Sequence, residues 1–276
     1  MQTVNPIGIF DSGAGGLSVL REIQALMPNE DILYFGDQGH VPYGPRPMKQ
    51  IQDFSEGITR FLLGQNAKII VVACNTASAA ALKYLRQTIP DVQFVGMEPA
   101  VKPAAEKTQT GKVGVLATPA TFQGELYASV VERFANGVEL FQNTCNGLVQ
   151  QIETGSLEGV ETRRILEDAL HPMMEKNIDT VVLGCTHYPF VIPMIQKIVG
   201  EKVRVIDPAP AVARQVKRLL EAGGMLNRQG GAVRFVTSGE VMAVESVIQI
   251  LLGGNVKVES VTWLNDREVL VQLPAG

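Results

Sequence analysis

The chain is punctuated by short apolar runs that do not alternate with polar residues. They are IGIF from Ile7, DILYFG from Asp31, KIIVVA from Lys68, VQFVGM from Val92, KVGVLA from Lys112, VELF from Val138, TVVLG from Thr180, VRVI from Val203 and AVRFVT from Ala232. A strand with one wet face alternates. A strand that is apolar throughout is buried on both faces, as in a parallel sheet covered by helices. The segments between, such as SAAALKYLRQTI and ETRRILEDALHPMMEK, have the length and composition of helices. The expected fold class is α/β, with mainly parallel sheets flanked by helices.

The runs also repeat. GIFDS at residues 8–12 resembles GVLAT at 114–118, and DILYF at 31–35 resembles GVELF at 137–141. VVACNT aligns its Cys74 with Cys185 of VVLGCTH, and MEPA from Met97 matches IDPA from Ile206. Four matches in one order at nearly constant spacing predict a duplicated α/β unit. The residues after Asp207 read as a further helix, strand and tail that complete the first unit. Two pseudo-symmetric domains are expected, one discontinuous over residues 1–97 and 209–276, the other over 98–208.

The repeat places two of the three cysteines at matching strand ends. Ligands of open parallel sheets sit outside the carboxyl ends of the strands. Each cysteine precedes an expected helix start, with Asn75, Thr76 and Ser78 as capping candidates on one side and Thr186 on the other. Backbone N–H groups there would favour a thiolate or a substrate carboxylate. Two units facing one cleft would bring Cys74 and Cys185 to one ligand from opposite sides. That is what stereoinversion at carbon needs: one thiolate removes a proton and the opposing thiol returns one to the other face. A lone cysteine is more often a small packing hydrophobe, and Cys145 in NTCNG reads that way.

Other motifs are less specific. DSGAGG follows the first strand but meets neither G-x-G-x-x-G nor a Walker lysine pattern; it reads as a tight turn presenting Asp11 and Ser12 to a ligand. In GDQGHVPYG, at residues 36–44, Gly and Pro fix the loop and Tyr43 can close over a small molecule. His187, two residues after Cys185, is a candidate general acid or orienting group. His40, His171 and the single Trp263 read as packing or surface residues.

Composition narrows the partners. The net charge is −4, without a basic block, which argues against nucleic acid or an anionic membrane as primary partner. No stretch approaches the roughly 18 apolar residues of a membrane span, and the start shows no charged leader. Three cysteines without a C-x-x-C pair make neither a disulfide framework nor a zinc ribbon. A reducing, cytoplasmic setting is expected. No lysine in the motifs is placed for a Schiff base, so neither a pyridoxal cofactor nor a metal is implied.

Taken together, FDSGAGG, PYG, ACNTASA, GVLAT with Thr121 shortly after, and GCTHYPF resemble the glutamate racemase family of the aspartate/glutamate racemase superfamily. DPA at Asp207 and TSG at Thr237 extend the resemblance over nearly the whole chain. It implies a cofactor-independent interconversion of L- and D-glutamate for peptidoglycan, in a cleft between two α/β domains. It implies Cys74 and Cys185 as the acid/base pair, Asp11 assisting the first, and Glu153 and His187 assisting the second. It implies Asp11, Ser12, Asn75, Thr76, Thr118, Thr121, Thr186 and His187 as substrate-binding residues, with Pro42, Tyr43 and Gly44 in the pocket wall. A homodimer is the state it suggests. Glu153 comes from the resemblance alone; its spacing does not single it out. The chain departs from the family at His40, where Arg is common, at Pro47, where Ser is common, and at Cys145-Asn146, where Cys-Pro is usual. Two other readings stay open: a superfamily racemase or isomerase acting on another substrate such as aspartate, and a two-lobed binding protein without turnover.

Overall fold

The structure is a computed structural model and describes residues 5–271. In chain order its elements begin β1 (Ile7–Asp11), α1 (Leu17–Leu26), β2 (Ile32–Gly36), α2 (Met48–Gly64), β3 (Ile69–Val72), α3 (Asn75–Thr88) and β4 (Phe94–Gly96). The middle of the chain forms α4 (Val101–Lys107), β5 (Lys112–Ala117), α5 (Pro119–Gln123), α6 (Glu125–Phe134), β6 (Glu139–Asn143), α7 (Leu148–Glu153), α8 (Val160–Met174), β7 (Thr180–Gly184), α9 (Ile192–Val199) and β8 (Arg204–Ile206). It ends with α10 (Ala209–Ala222), β9 (Val233–Thr237), α11 (Val241–Leu252), β10 (Val258–Asn265) and β11 (Glu268–Val271). All nine apolar runs read from the sequence are strands.

The strands form two sheets, one in the order β11-β10-β9-β2-β1-β3-β4 and one in the order β6-β5-β7-β8. The second sheet repeats the β2-β1-β3-β4 portion of the first, strand for strand. The inner pairs share a register too: Ile9 lies opposite Val71, and their counterparts Val115 and Val182 lie opposite each other. All pairings are parallel except β10 with β11. The described residues after Asp207 hold two helices and three strands, more than the helix, strand and tail expected. β10 and its hairpin partner escaped the sequence reading because only Val261 of β10 is buried. Such a strand carries no continuous apolar run.

Unalternated strands feed two cores at once, because successive side chains point to opposite faces. In β1, Ile7 and Ile9 join one core while Phe10 joins another; in β3, Ile69 and Val71 part from Ile70 and Val72 in the same way. The first of these cores is shared between the sheets. It runs from Leu17, Leu20 and Val216 to Leu116, Leu166, Leu183 and Tyr188. Ile9 is wholly buried, and truncating such a side chain to Ala costs about 2–5 kcal/mol. The chain crosses between the sheets twice, over residues 97–100 ahead of α4 and 207–208 ahead of α10. α4 then packs on α6 and β7, and α10 on α1 and β4. Among the described residues no helix is long and apolar enough to cross a membrane.

Candidate active site

Parallel strands point all their carboxyl ends one way, and the two sheets bring those ends together. The residues that follow them enclose one small cavity. Ser12 comes from the turn after β1, Pro42, Tyr43 and Gly44 from the loop after β2, and Cys74, Asn75 and Thr76 from the end of β3. From the second sheet come Thr118 after β5, Val149 on α7, and Cys185, Thr186 and His187 after β7. The space left there for the centre of a water-sized sphere is about 20 Å³, room for about one water molecule. Val149 carried no signal in the sequence: one valine on an amphipathic helix reads as core. Asp11, Thr121 and Glu153 do not line the cavity; they stand behind residues that do.

The two thiols are held differently. Cys74 is itself the N-cap of α3, its sulfur accepting from Ala77 N–H at 3.4 Å and lying 3.8 Å from Ser12 Oγ. The capping candidates Asn75, Thr76 and Ser78 do not cap. Helix geometry has begun by Asn75, and Ser78 Oγ instead donates to Val72 O at 3.0 Å and accepts from Met97 N–H at 2.9 Å. Burial, and then the neighbouring Asp11 charge, push the Cys74 thiol well above its ordinary pKa, against its hydrogen bonds with Ala77 and Ser12.

Cys185 does not begin an α-helix. It leads through Thr186 and His187 into a 3₁₀ turn, Tyr188–Val191, and α9 starts only at Ile192, with Pro193 in its first turn. Thr186 caps nothing; its hydroxyl reaches Asp11 Oδ1 at 3.4 Å, across the halves. Cys185 Sγ lies 3.7 Å from His187 Nδ1, and His187 Nε2 lies 2.5 Å from Glu153 Oε1. Burial opposes protonation of His187, but the hydrogen bonds to Cys185 and Glu153 and the Glu153 charge outweigh it. Its pKa stands well above the ordinary value.

Behind Cys74, Asp11 is wholly buried. Its Oδ2 accepts from the N–H groups of Gly13 and Gly16, each at 3.1 Å. Burial raises its pKa, only partly offset by the charge of His187. Two further contacts tie the halves: Ser18 donates to Thr186 O at 2.9 Å, and Ala14 N–H donates to Glu153 Oε1 at 2.6 Å. A hydroxyl chain also crosses, with Thr76, Thr118 and Thr121 linked in turn at 2.9 Å. Asn75 stands out. Its side chain is buried, and both its amide nitrogen and its amide oxygen lack a partner. Buried polar groups are nearly always satisfied; this one lies beside the cavity with both hydrogen-bonding atoms unused among the described residues.

The cavity wall has its own support. Tyr43 donates to Asp37 Oδ2 at 2.6 Å, and Asp37 Oδ1 accepts from Ser238 Oγ at 2.6 Å and Trp263 Nε1 at 2.8 Å. His40 Nδ1 adds a contact at 3.0 Å, and its ring stacks on Phe54 with centroids 4.0 Å apart. His40 and Trp263 do pack, as expected, but both also hold the buried carboxylate under Tyr43. His171 is exposed. Cys145 is buried in the shared core, and burial pushes its thiol up to about 12.

Comparison with known proteins agrees over most of the chain. The Asp/Glu/Hydantoin racemase family matches residues 7–216. A glutamate racemase of Pseudomonas aeruginosa (strain UCBPP-PA14) is 49% identical over 248 residues, 90% of this chain and 94% of that one. The Escherichia coli glutamate racemase solved with L-glutamate and the activator UDP-MurNAc-Ala superimposes with a TM-score of 0.83 at 31% identity, covering 95% of this chain and all of that one. The Francisella tularensis glutamate racemase solved with D-glutamate gives 0.80 at 32% identity, covering 92% and 96%.

Proposed function

Because the chain belongs to the Asp/Glu/Hydantoin racemase family and is in consequence an amino-acid racemase, we propose that it interconverts L-glutamate and D-glutamate by two thiols acting in turn, without cofactor or metal. The observation that carries this reading is the meeting of Cys74 and Cys185, counterparts in the repeat, at one cavity from opposite halves. The relatives' substrate supports glutamate in particular.

In the reaction, one sulfur enters as thiolate and takes the α-hydrogen as a proton. The C–H electron pair passes into the carboxylate as enolate character. The opposing thiol gives its proton to the other face of the carbon and is left as thiolate. The next turnover of the opposite enantiomer resets the pair. The surroundings suit such an unequal start. Cys74, pushed up, holds its proton, while His187, 3.7 Å from the Cys185 sulfur, is placed to exchange a proton with it.

Racemisation of an unactivated amino acid needs a large barrier reduction, and enzymes typically supply about 8–23 kcal/mol. Among the described residues no lysine or arginine lines the cavity. The Asn75 amide and the hydroxyls of Ser12, Thr76, Thr118 and Thr186 are the donors able to meet the carboxylates as charge develops. Exclusion of water strengthens each such contact. A space of about 20 Å³ is too small for glutamate, so the halves part to admit it and close again to react. Asp11 and Glu153 act through the residues in front of them. D-Glutamate made this way serves peptidoglycan synthesis in the cytoplasm, where three unpaired thiols stay reduced, and the working state is a homodimer.

The test is incubation of metal-free protein with L-glutamate in D₂O, with no pyridoxal phosphate added. D-Glutamate should appear deuterated while the remaining L-glutamate stays protiated at early times, and Cys74→Ala and Cys185→Ala should each stop racemisation. Turnover of another amino acid and not glutamate would keep the mechanism and reject the substrate. Absence of any α-hydrogen exchange would reject both.

A further inference from the structure

The glycine-rich turn over residues 12–16 has no part in the chemistry described above beyond presenting Ser12 and tethering Asp11. Neither Gly13 nor Gly15 has a left-handed φ, so backbone conformation does not demand glycine at either place. Space does. A Cβ on Gly13 would collide with Glu153 Oε1 and lie 2.8 Å from Glu153 Cδ. A Cβ on Gly15 would collide with His187 Nδ1 and lie 2.7 Å from Thr186 Oγ1. Gly16 differs: its Cβ would meet Asp11 Cβ at 2.8 Å and Ala73 Cβ at 3.1 Å, both within its own half.

The atoms that Gly13 and Gly15 spare are the working atoms of the opposite half. Glu153 Oε1 faces His187 Nε2 at 2.5 Å, and His187 Nδ1 faces Cys185 Sγ at 3.7 Å. Between the two glycines, Ala14 N–H donates to that same Glu153 oxygen at 2.6 Å. We propose that Gly13 and Gly15 are positioning residues for the Cys185 side: the space left by their missing side chains seats Glu153 and His187, so a turn of one half aligns the acid–base relay of the other. The seat exists only when the halves are together, and the relay is therefore aligned by closure itself. This rests on the two-thiol reading.

The first variant to make is Gly13→Ala, because the group it meets is the tip of a flexible side chain and can swing away without disturbing the fold. The carboxylate then leaves both Ala14 and His187. A misplacement of this order costs about 10²-fold in kcat/KM. With α-deuterated substrates, the isotope effect should rise for the enantiomer whose proton Cys185 removes and fall for the other. Most of the loss should disappear in a Glu153→Ala background, in both rate and melting temperature, since no carboxylate is left to displace and only the 3.1 Å approach to Val41 Cγ2 remains. His187, one of three histidines, should titrate lower by NMR in Gly13→Ala than in wild type, with Cys185 and Asp11 still facing it. Gly15→Ala meets the buried His187 ring and is the harsher change; if it does not fold, the Gly13 cycle decides. Wild-type racemisation and unchanged His187 titration in Gly13→Ala would overturn the proposal, as would a cost that adds in full to that of Glu153→Ala. If wild type exchanges no glutamate α-hydrogen, the two-thiol reading fails, while the seat is still judged by the titration and the melting cycle.

Discussion

Tyr43 donates its phenol hydrogen to Asp37 at 2.6 Å, and both side chains are closed off from solvent. The remaining donors to Asp37 include Ser238 and Trp263, from the far end of the chain. A wall residue of the cavity is therefore fixed by a carboxylate that the C-terminal strands hold in place. Tyr43→Phe leaves that carboxylate one donor short, which costs about 1–3 kcal/mol. Thermal melting should show the loss. Trp263→Phe removes another donor without touching the cavity, and it should raise KM for glutamate while changing kcat less. Unchanged steady-state kinetics in the Trp263 variant would mean that Tyr43 keeps its place without this support.

Asn75→Ala separates stability from function. The amide has no protein partner, so its loss should leave the melting temperature unchanged or raise it. Glutamate binding, in contrast, loses a buried hydrogen-bonding group worth about 1–3 kcal/mol, or roughly 5- to 150-fold in affinity. A lower melting temperature with unaltered KM would show that the amide is structural.

His187 gives stability a pH dependence of known sign. Its folded-state pKa is raised well above the ordinary value. Its contribution is then fully present below the unfolded pKa, about 6.5, and fades as pH rises through the folded one. The melting difference between wild type and His187→Gln should be largest near pH 6 and shrink on the alkaline side. A difference that grows with pH would place the proton elsewhere, for instance on Asp11.

Cys145→Ala should racemise glutamate as wild type does, with a stability loss of about 1 kcal/mol for the buried sulfur. With its thiol pushed up to about 12, native Cys145 should resist iodoacetamide at pH 8. Rapid alkylation there, read by peptide mass, would show that the core around it opens.

Much of this architecture was legible because burial on both faces leaves a mark. Unalternated runs such as IIVV and TVVLG belong to inner strands, and their repetition predicted the matched ends that carry Cys74 and Cys185. β10 left no such mark, being half wet. Partners of a buried carboxylate are illegible for another reason: Asp37 and Trp263 stand 226 positions apart, and no local spacing encodes that contact. The helix starts misled for a third reason. Polar residues after each cysteine resemble caps, yet Cys74 caps its helix with sulfur, and Thr186 turns its hydroxyl to Asp11 in the other half.

The two crossings between sheets, over residues 97–100 and 207–208, fall in matching segments of the repeat, MEPA and IDPA. Two bodies joined by one tether can twist and wander. Joined by two tethers, they keep mainly a swing about the line through both, like a door on a pair of pins. In the closure proposed above, each swing shut would bring the second half home along the same arc, and the sulfurs would return to the same facing places without having to search for them.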